Sequence, residues 1–327
     1  MEILKPTQPL VSVVVCSYNR KDFIGQTLNC ILNQKRDFPI EIIVGDDGST
    51  DGTRDILMEY QEKYPEIFVL LLQEKNLKIG GNWATTVKLA QGKYIALCDD
   101  DDFWHDEDKL QKQIDILEND FLIGLVHTNY RTLDEKGKIK EIQIKNEETD
   151  DLLLSLFSGK SNFCICTCVL RKSLLDDYVN LDDYVKYEFP IQDWNTWVLI
   201  AKYITVFHLQ ESMVTVRITS NSTSRKESYE KLIEKYAKEK IMYKYLCDKF
   251  PDDLSYDEKG WDSYVNHLLL SLAYKRKEFR KAKEYAGLSN NKKSLKVRCA
   301  KNRLFFYFFV LLKNSYLRFM LIKRIFH

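Results

Sequence analysis

Several common signatures are missing from this sequence of 327 residues. No G-x-G-x-x-G and no P-loop Lys follows the first predicted strand, so neither of the usual phosphate cradles is present. The start, MEILKPTQPLVSVVV, lacks the basic lead and the cleavage site of a secretory signal, so we expect a cytoplasmic protein. The eight cysteines include no C-x-x-C pair, which is the usual spacing of a metal or redox site.

Three of the cysteines nevertheless lie close together. Cys164, Cys166 and Cys168 alternate within NFCICTCVL, which predicts that they share one face of a strand. Buried, reduced thiols are the interpretation that this pattern favours. A metal site is the alternative, although no His and no fourth Cys is close in sequence.

Charge is unevenly distributed along the chain. Residues 271–327 contain sixteen Lys or Arg and two Glu, a net charge of +14, whereas the whole chain has a formal charge of +1. The remainder therefore carries −13, and the basic end is expected to meet an anionic partner.

The first hundred residues alternate between predicted strands and helices. Short apolar runs at 10–16, 40–44, 68–72 and 93–98 are typical of buried strands. The segments between them have helical spacing, as at Ile24, Leu28 and Ile31, and residues 82–91 are predicted as a helix. This alternation predicts an α/β fold with a mainly parallel sheet and helices on both faces.

Three polar segments follow these strands and converge on one edge of the sheet. They are SYNR at 17–20, GDDGSTDGT at 45–53 and DDDD at 99–102. Ligands of such sheets bind beyond the carboxyl ends of the strands. Without a phosphate cradle, an Asp-rich edge can hold a phosphate through a divalent cation such as Mg²⁺ or Mn²⁺. Turn formation and helix capping are the alternative for DDGSTDGT. The four Asp at 99–102 are harder to explain in this way, because a cap needs only one Asp.

The sequence resembles the family 2 glycosyltransferases, which have the GT-A fold. The resemblance is carried by VSVVVCSYNR, EIIVGDDGSTDGT, EKNLKIGGNWATTVKLAQGKYIALCDDDDFW, QDWNTWVLIAKY and VTVRITSNSTS, from about residue 10 to 224. It implies a nucleotide-sugar donor, a divalent cation, Mn²⁺ or Mg²⁺, and inversion at the anomeric carbon.

The resemblance also implies roles for individual residues. Ser17, Tyr18 and Asn19 would line the nucleoside pocket, with Tyr18 beside the base and Asp47 accepting from the N3–H of uracil or thymine. The family's Asp-x-Asp corresponds to Asp99 and Asp101. Both are expected to be metal ligands, Asp101 the main one, while Asp99 would reach the ribose or the metal. The register is open by one residue, which keeps Asp100 and Asp102 as alternatives, and Asp102 also matches a position beside the sugar.

The catalytic base of the family lies in an acidic pair before a helix, which here reads Gln192-Asp193. Asp193 is therefore the expected base that takes the proton of the acceptor hydroxyl. An N-cap of the following helix is the alternative role.

Other donor contacts are implied further along the chain. Arg217 would pair with the diphosphate. Thr219 stands where the family often has His, and residues 220–226 have the composition of a mobile lid. Asn82, in Gly80-Gly81-Asn82-Trp83, would touch the diphosphate or sugar, or else this stretch is a turn that begins a helix.

We expect a catalytic domain over 1–225, a helical appendage over 226–300 and a basic, aromatic, amphipathic tail over 301–327. The apolar run LFFYFFVLL in the tail is too short to span a bilayer. The tail suits the inner face of the cell membrane, which favours a lipid-linked glycan acceptor, as in surface polysaccharide synthesis. Packing onto the protein or a partner subunit is the alternative.

The sequence therefore predicts an inverting transfer from a UDP- or dTDP-sugar to a hydroxyl of a glycan, and no nucleic acid partner. A sugar nucleotidyltransferase is one alternative, but such enzymes bring a Gly-rich basic loop that SYNRKDF does not provide. A non-enzymatic binder of anionic polymers is the other.

Overall fold

The structure is a computed structural model that describes residues 8–144, 151–159, 163–218, 228–289 and 294–301. Within these ranges the strands are β1 Val11–Ser17, β2 Ile40–Asp46, β3 Phe68–Leu72, β4 Tyr94–Asp99, β5 Phe103–Trp104, β6 Ile123–Asp134, β7 Ile139–Ile142, β8 Val169–Arg171 and β9 Thr205–Ile218. The helices are α1 Ile24–Leu32, α2 Thr53–Lys63, α3 Lys78–Val87, α4 Lys109–Asn119, α5 Leu152–Phe157, α6 Lys172–Tyr178, α7 Leu181–Lys186, α8 Asp193–Ile200, α9 Tyr229–Lys249, α10 Glu258–Arg276, α11 Phe279–Leu288 and α12 Leu295–Ala300.

The strands form one sheet in the order β3-β2-β1-β4-β8-β6-β9-β5, with β7 beside β6. The first four of these are mutually parallel, which confirms the alternation predicted from the sequence. Further along, β8 is antiparallel to β4 and β6, whereas β9 is parallel to β6. All seven residues of β2 are buried, because helices cover both faces of the sheet there.

Two local predictions differ from the structure. The helix predicted at 82–91 is present but runs from Lys78 to Val87, so Gly80 and Gly81 are helical. A Cβ on Gly80 would lie 2.3 Å from the carbonyl oxygen of Phe189, so glycine here permits a close backbone approach.

The cysteine trio does not share a strand either. Ile165–Thr167 forms a short 3₁₀ helix, and the strand begins only at Val169. Cys166 and Cys168 are buried, and Cys164 is partly exposed. No disulfide links them, so they are free thiols.

The chain divides into two compact units. The first comprises Met1–Glu227 with Ala237–Leu254, and the second comprises Ser228–Tyr236 with Ser255–His327. The second unit has its own small core, in which residues of α10, α11 and α12 are buried, and the predicted helical character of this region is confirmed. No helix in the described part of the chain has the length and apolar character needed to cross a membrane. The tail from 302 onward and the expected lid at 220–226, with Thr219, lie outside the described residues.

Candidate functional site

The ends of β1, β2 and β4 lie side by side, as the sequence predicts. In the parallel ladders Ser17 is opposite Asp46, and Cys16 is opposite Asp99. The three polar segments that continue from these strands therefore begin at one edge of the sheet.

Hydrogen bonds join the first two of these segments. The backbone N–H of Asn19 donates to Ser49 Oγ at 2.9 Å, and Thr50 N–H donates to Asn19 Oδ1 at 2.9 Å. Asn19 has a φ of 54°, in the left-handed region that Asn tolerates better than most residues. Its side chain is thus engaged in holding the loop after β2, next to the expected nucleoside pocket.

Asp47, the predicted base-binding carboxylate, directly follows β2. It is only 3% exposed, and its Oδ1 accepts from Leu77 N–H at 2.6 Å. Burial raises the pKa of this carboxyl to about 6. The ring of Tyr18 is 44% exposed, which leaves its face available to a planar ligand, whereas Ser17 is buried.

In the acidic turn at 99–102, the two central residues face an arginine. Arg20 Nε lies 3.3 Å from Asp100 Oδ1 and 3.2 Å from Asp101 Oδ2. Asp100 Oδ2 also accepts from Tyr18 N–H at 3.0 Å. Burial still raises the pKa of Asp100 to about 7, although Arg20 opposes that shift.

The two outer residues of the turn face a thiol. Cys166 Sγ accepts from Asp99 N–H and donates to Asp102 Oδ2, both at 3.2 Å. Burial and the neighbouring charges of Asp102 and Asp101 raise the pKa of Asp99 well above its usual value. Burial raises the pKa of Asp102 to about 7.

This excess of negative charge fits a divalent cation. Carboxylates whose pKa values are raised by burial and by one another are stabilised in the charged form by a nearby cation. Their hard oxygen atoms are the ligands that Mg²⁺ and Mn²⁺ prefer. The donor set of the turn therefore suits the predicted metal, with Asp99 and Asp101 as the predicted ligands and Asp102 beside them.

Arg217 and Thr27 fix the position of the turn. Arg217 N–H donates to Asp102 Oδ1 at 2.8 Å, and its guanidinium donates to the carbonyl of Asp101 and to Gln26. From α1, Thr27 Oγ1 lies 2.6 Å from the carbonyl oxygen of Asp102. The guanidinium of Arg217, predicted as a diphosphate contact, is thus at the turn itself.

Asp193 is the first residue of α8 and is partly buried. The N-cap residue is Gln192, and no side-chain hydrogen bond caps the helix, so the alternative role as an N-cap is wrong. Burial raises the pKa of Asp193, as suits a group that must accept a proton.

Asn82 has a structural partner that the sequence did not predict. Its side chain is 2% exposed within α3, and Nδ2 donates to the carbonyl oxygen of Gly45 at 2.8 Å. The stretch Gly80-Gly81-Asn82-Trp83 therefore lies within a helix and is not the turn that begins it. Contact of Asn82 with the diphosphate or sugar stays a prediction.

Comparison with known proteins identifies the family. The model of Glycosyl transferase family 2 matches residues 12–179, just over half of the chain. The chain belongs to glycosyl transferase family 2. The matched segment contains the three strand ends and the whole acidic turn, and it stops short of α8.

Among family 2 relatives, TuaG of Bacillus subtilis is 31% identical over 226 residues, which cover 66% of this chain and 82% of TuaG. Its name assigns it provisionally to teichuronic acid biosynthesis. An uncharacterized protein of Mycobacterium tuberculosis is 39% identical over 108 residues, 33% of this chain. The chain spans about a third of the length of that relative, 31%.

Solved structures show the same fold. S. aureus TarS 1-349 in complex with UDP-GlcNAc superposes with a TM-score of 0.54 at 16% identity, over 92% of this chain and 90% of that one. The mannosyltransferase PcManGT from Pyrobaculum calidifontis, in complex with GDP-Man and Mn²⁺, gives a TM-score of 0.50 at 17% identity, over 95% and 90% of the two chains. The family 2 chain thus has the GT-A fold that the sequence predicts.

Proposed function

We propose that this protein transfers a sugar from a nucleotide-diphosphate donor to a hydroxyl of a glycan acceptor, with inversion. The observation that carries the proposal is that three polar strand ends, one of them the acidic turn, meet at one edge of the sheet in a family 2 chain. Relatives of the same fold were solved with UDP-GlcNAc and with GDP-Man and Mn²⁺.

The residues of the site would have the following roles. Tyr18 and Asp47 bind the base, while Asp99 and Asp101 hold the cation, which neutralises the charge of the leaving diphosphate. Arg217 adds a second positive charge at the acidic turn, where the diphosphate would lie. Asp193 accepts the proton of the acceptor hydroxyl as its oxygen attacks the anomeric carbon.

A panel of nucleotide sugars tests this function. The purified protein is incubated with UDP-, dTDP- and GDP-sugars in Mn²⁺, and the released nucleoside diphosphate is measured. We expect release from one nucleotide class, and its loss in EDTA. No release from any donor, or an unchanged rate in EDTA, contradicts the proposal.

We further propose that the acceptor is lipid-linked and that the tail at 302–327 brings the enzyme to the inner face of the membrane. The support is its composition, in which bulky apolar groups alternate with Lys and Arg. Deletion of 302–327 is expected to abolish binding to anionic liposomes and to leave donor hydrolysis in solution intact. If the truncated protein loses donor hydrolysis, the tail belongs to the fold.

A further inference from the structure

Cys166 brings a sulfur atom to the acidic turn. Its 3₁₀ helix is anchored by Trp104, whose Nε1–H donates to the carbonyl oxygen of Cys166 at 3.0 Å. The thiol then bridges the two outer residues of the turn, since it accepts from Asp99 N–H and donates to Asp102 Oδ2.

These three side chains have the spacing of metal ligands. One carboxylate oxygen each from Asp99 and Asp102 and Cys166 Sγ all lie within 4.8 Å of one another, the one such group among the described residues. Burial, with the neighbouring thiols of Cys164 and Cys98 and the charges of Asp99 and Asp102, raises the pKa of Cys166 well above its usual value. Asp99 and Cys164 are partly exposed, whereas Cys166 and Asp102 are buried.

The sulfur is a donor that Mg²⁺ and Mn²⁺ do not need. Hard cations prefer oxygen ligands, whereas thiolate ligands select cations such as Zn²⁺. Zn²⁺ forms sites of mixed sulfur and carboxylate ligands, with bonds of about 2.0–2.3 Å. The turn therefore combines two kinds of donor, and the second kind has no part in sugar transfer.

We propose that Asp99, Asp102 and Cys166 form a site for a thiophilic divalent cation of the zinc class. On binding, the S–H bond of Cys166 breaks, a metal–sulfur bond forms, and the proton leaves to solvent. Because Asp99 and Asp102 then serve this cation, the Mn²⁺ or Mg²⁺ of the transfer reaction is displaced. The binding of this cation is inferred from the geometry alone, whereas the resulting inhibition of sugar transfer rests on the proposed function.

Cd²⁺ is the probe, because its bond to a thiolate gives an ultraviolet charge-transfer band. The full-length, reduced protein is titrated with Cd²⁺ in thiol-free buffer. We expect a saturable band, together with displacement of bound Mn²⁺ followed by electron paramagnetic resonance. Cys166→Ser keeps a hydroxyl donor and acceptor at the same place, and should raise the Kd for Cd²⁺ more than about tenfold while Mn²⁺ binding persists.

Two variants complete the design. Cys247→Ser removes a partly exposed thiol of α9 and should leave the band unchanged. Asp102→Asn removes a proposed ligand and should also weaken Cd²⁺ binding more than about tenfold, which tests the site if Cys166→Ser fails to fold. A band of equal strength and affinity in Cys166→Ser, or no displacement of Mn²⁺ from the wild-type protein, overturns the proposal.

Inhibition is measured separately. At fixed Mn²⁺, Zn²⁺ should inhibit donor hydrolysis by the wild-type protein more strongly than by Cys166→Ser. If no donor is hydrolysed at all, the proposed function fails, but the Cd²⁺ titration still decides whether the site exists. Equal inhibition of both proteins by Zn²⁺ contradicts a role of Cys166 in this inhibition.

Discussion

Six of the acidic residues described above form two groups that differ in what faces them. In the first group each carboxylate has a guanidinium partner. Arg54 Nε lies 2.5 Å from Asp46 Oδ2, and Arg20 bridges Asp100 and Asp101.

The second group forms no ion pair within the described residues. It consists of Asp47, Asp99 and Asp193, and burial raises the pKa of each. Desolvation without a compensating charge costs free energy in the folded state, so such groups are found where a ligand supplies the missing partner. Paired acids thus stabilise the edge of the sheet, whereas an unpaired buried acid is available to a ligand.

Asp101 is an exception to this division, because it is paired with Arg20 and yet predicted as the main metal ligand. We expect Asp101→Asn to lower kcat at least about 10³-fold in Mn²⁺, since the cation loses a ligand where charge develops. Asp100→Asn is the matched control, and it should retain most of the turnover. Steady-state kinetics measures both, and a silent Asp101→Asn together with a loss of turnover in Asp100→Asn would move the metal register to Asp100 and Asp102.

Asp193 is the unpaired acid that is predicted to be the catalytic base. Asp193→Asn should lower kcat about 10²–10⁴-fold, the usual effect of losing a general base, with little change in donor affinity. The melting temperature should change little, because the substitution removes a buried charge while Asn keeps a side-chain oxygen that can accept from the backbone N–H of Trp194. Loss of donor binding with kcat retained would assign Asp193 another role.

Asp47 provides a test by pH. Its folded pKa of about 6 is raised by burial, so the carboxyl gains a proton as the pH falls through that value. The protonated group is a poorer acceptor, and affinity for UDP measured by calorimetry should decrease below about pH 6. Asp47→Asn keeps an acceptor oxygen and should remove the pH dependence.

Removing the carboxylate of Asp47 gives a second test of its role in base binding. Asp47→Ala should weaken UDP binding by about 1–3 kcal/mol. Asp46→Asn, the paired neighbour, serves as control, because it should lower thermal stability while UDP affinity keeps its pH dependence. An unchanged affinity in Asp47→Ala would exclude this residue from the base pocket.

The smallest effect is expected at Arg20. Arg20→Gln frees Asp100 and Asp101 from a partly exposed ion pair, a contact that contributes about 0–1 kcal/mol. Mn²⁺ binding without nucleotide, followed by electron paramagnetic resonance, should become only a few-fold tighter. Weaker binding would instead mean that Arg20 positions Asp101 for the metal.

The sequence predicted the elements whose signal is local. The strands at the site are short Val- and Ile-rich runs, and their polar ends fall at the same edge because the strands are parallel. The GT-A fold and the convergence of the acidic segments followed from that pattern together with the family resemblance.

What the sequence missed depends on contacts between distant segments. Gly80 and Gly81 look like a turn, but Gly80 accommodates a carbonyl from Phe189, more than a hundred residues away. Arg20 and Thr27 follow the first strand with nothing in their spacing to show that they reach the acidic turn. In the sequence Cys166 is only one of an alternating trio, and its contact with Asp102 depends on the folded structure.

Thr27 has a consequence for the entropy of donor binding. Its hydroxyl lies 2.6 Å from the carbonyl oxygen of Asp102 and 3.2 Å from that of Asp100, so α1 immobilises the acidic turn during folding. Fixing the backbone of a free residue costs about 1–2 kcal/mol, a cost that would reduce affinity if ligand binding had to order the turn. Because the turn is already ordered, little of the free energy of attraction between cation, diphosphate and carboxylates is lost in ordering it. That free energy can therefore contribute almost fully to the affinity for the donor.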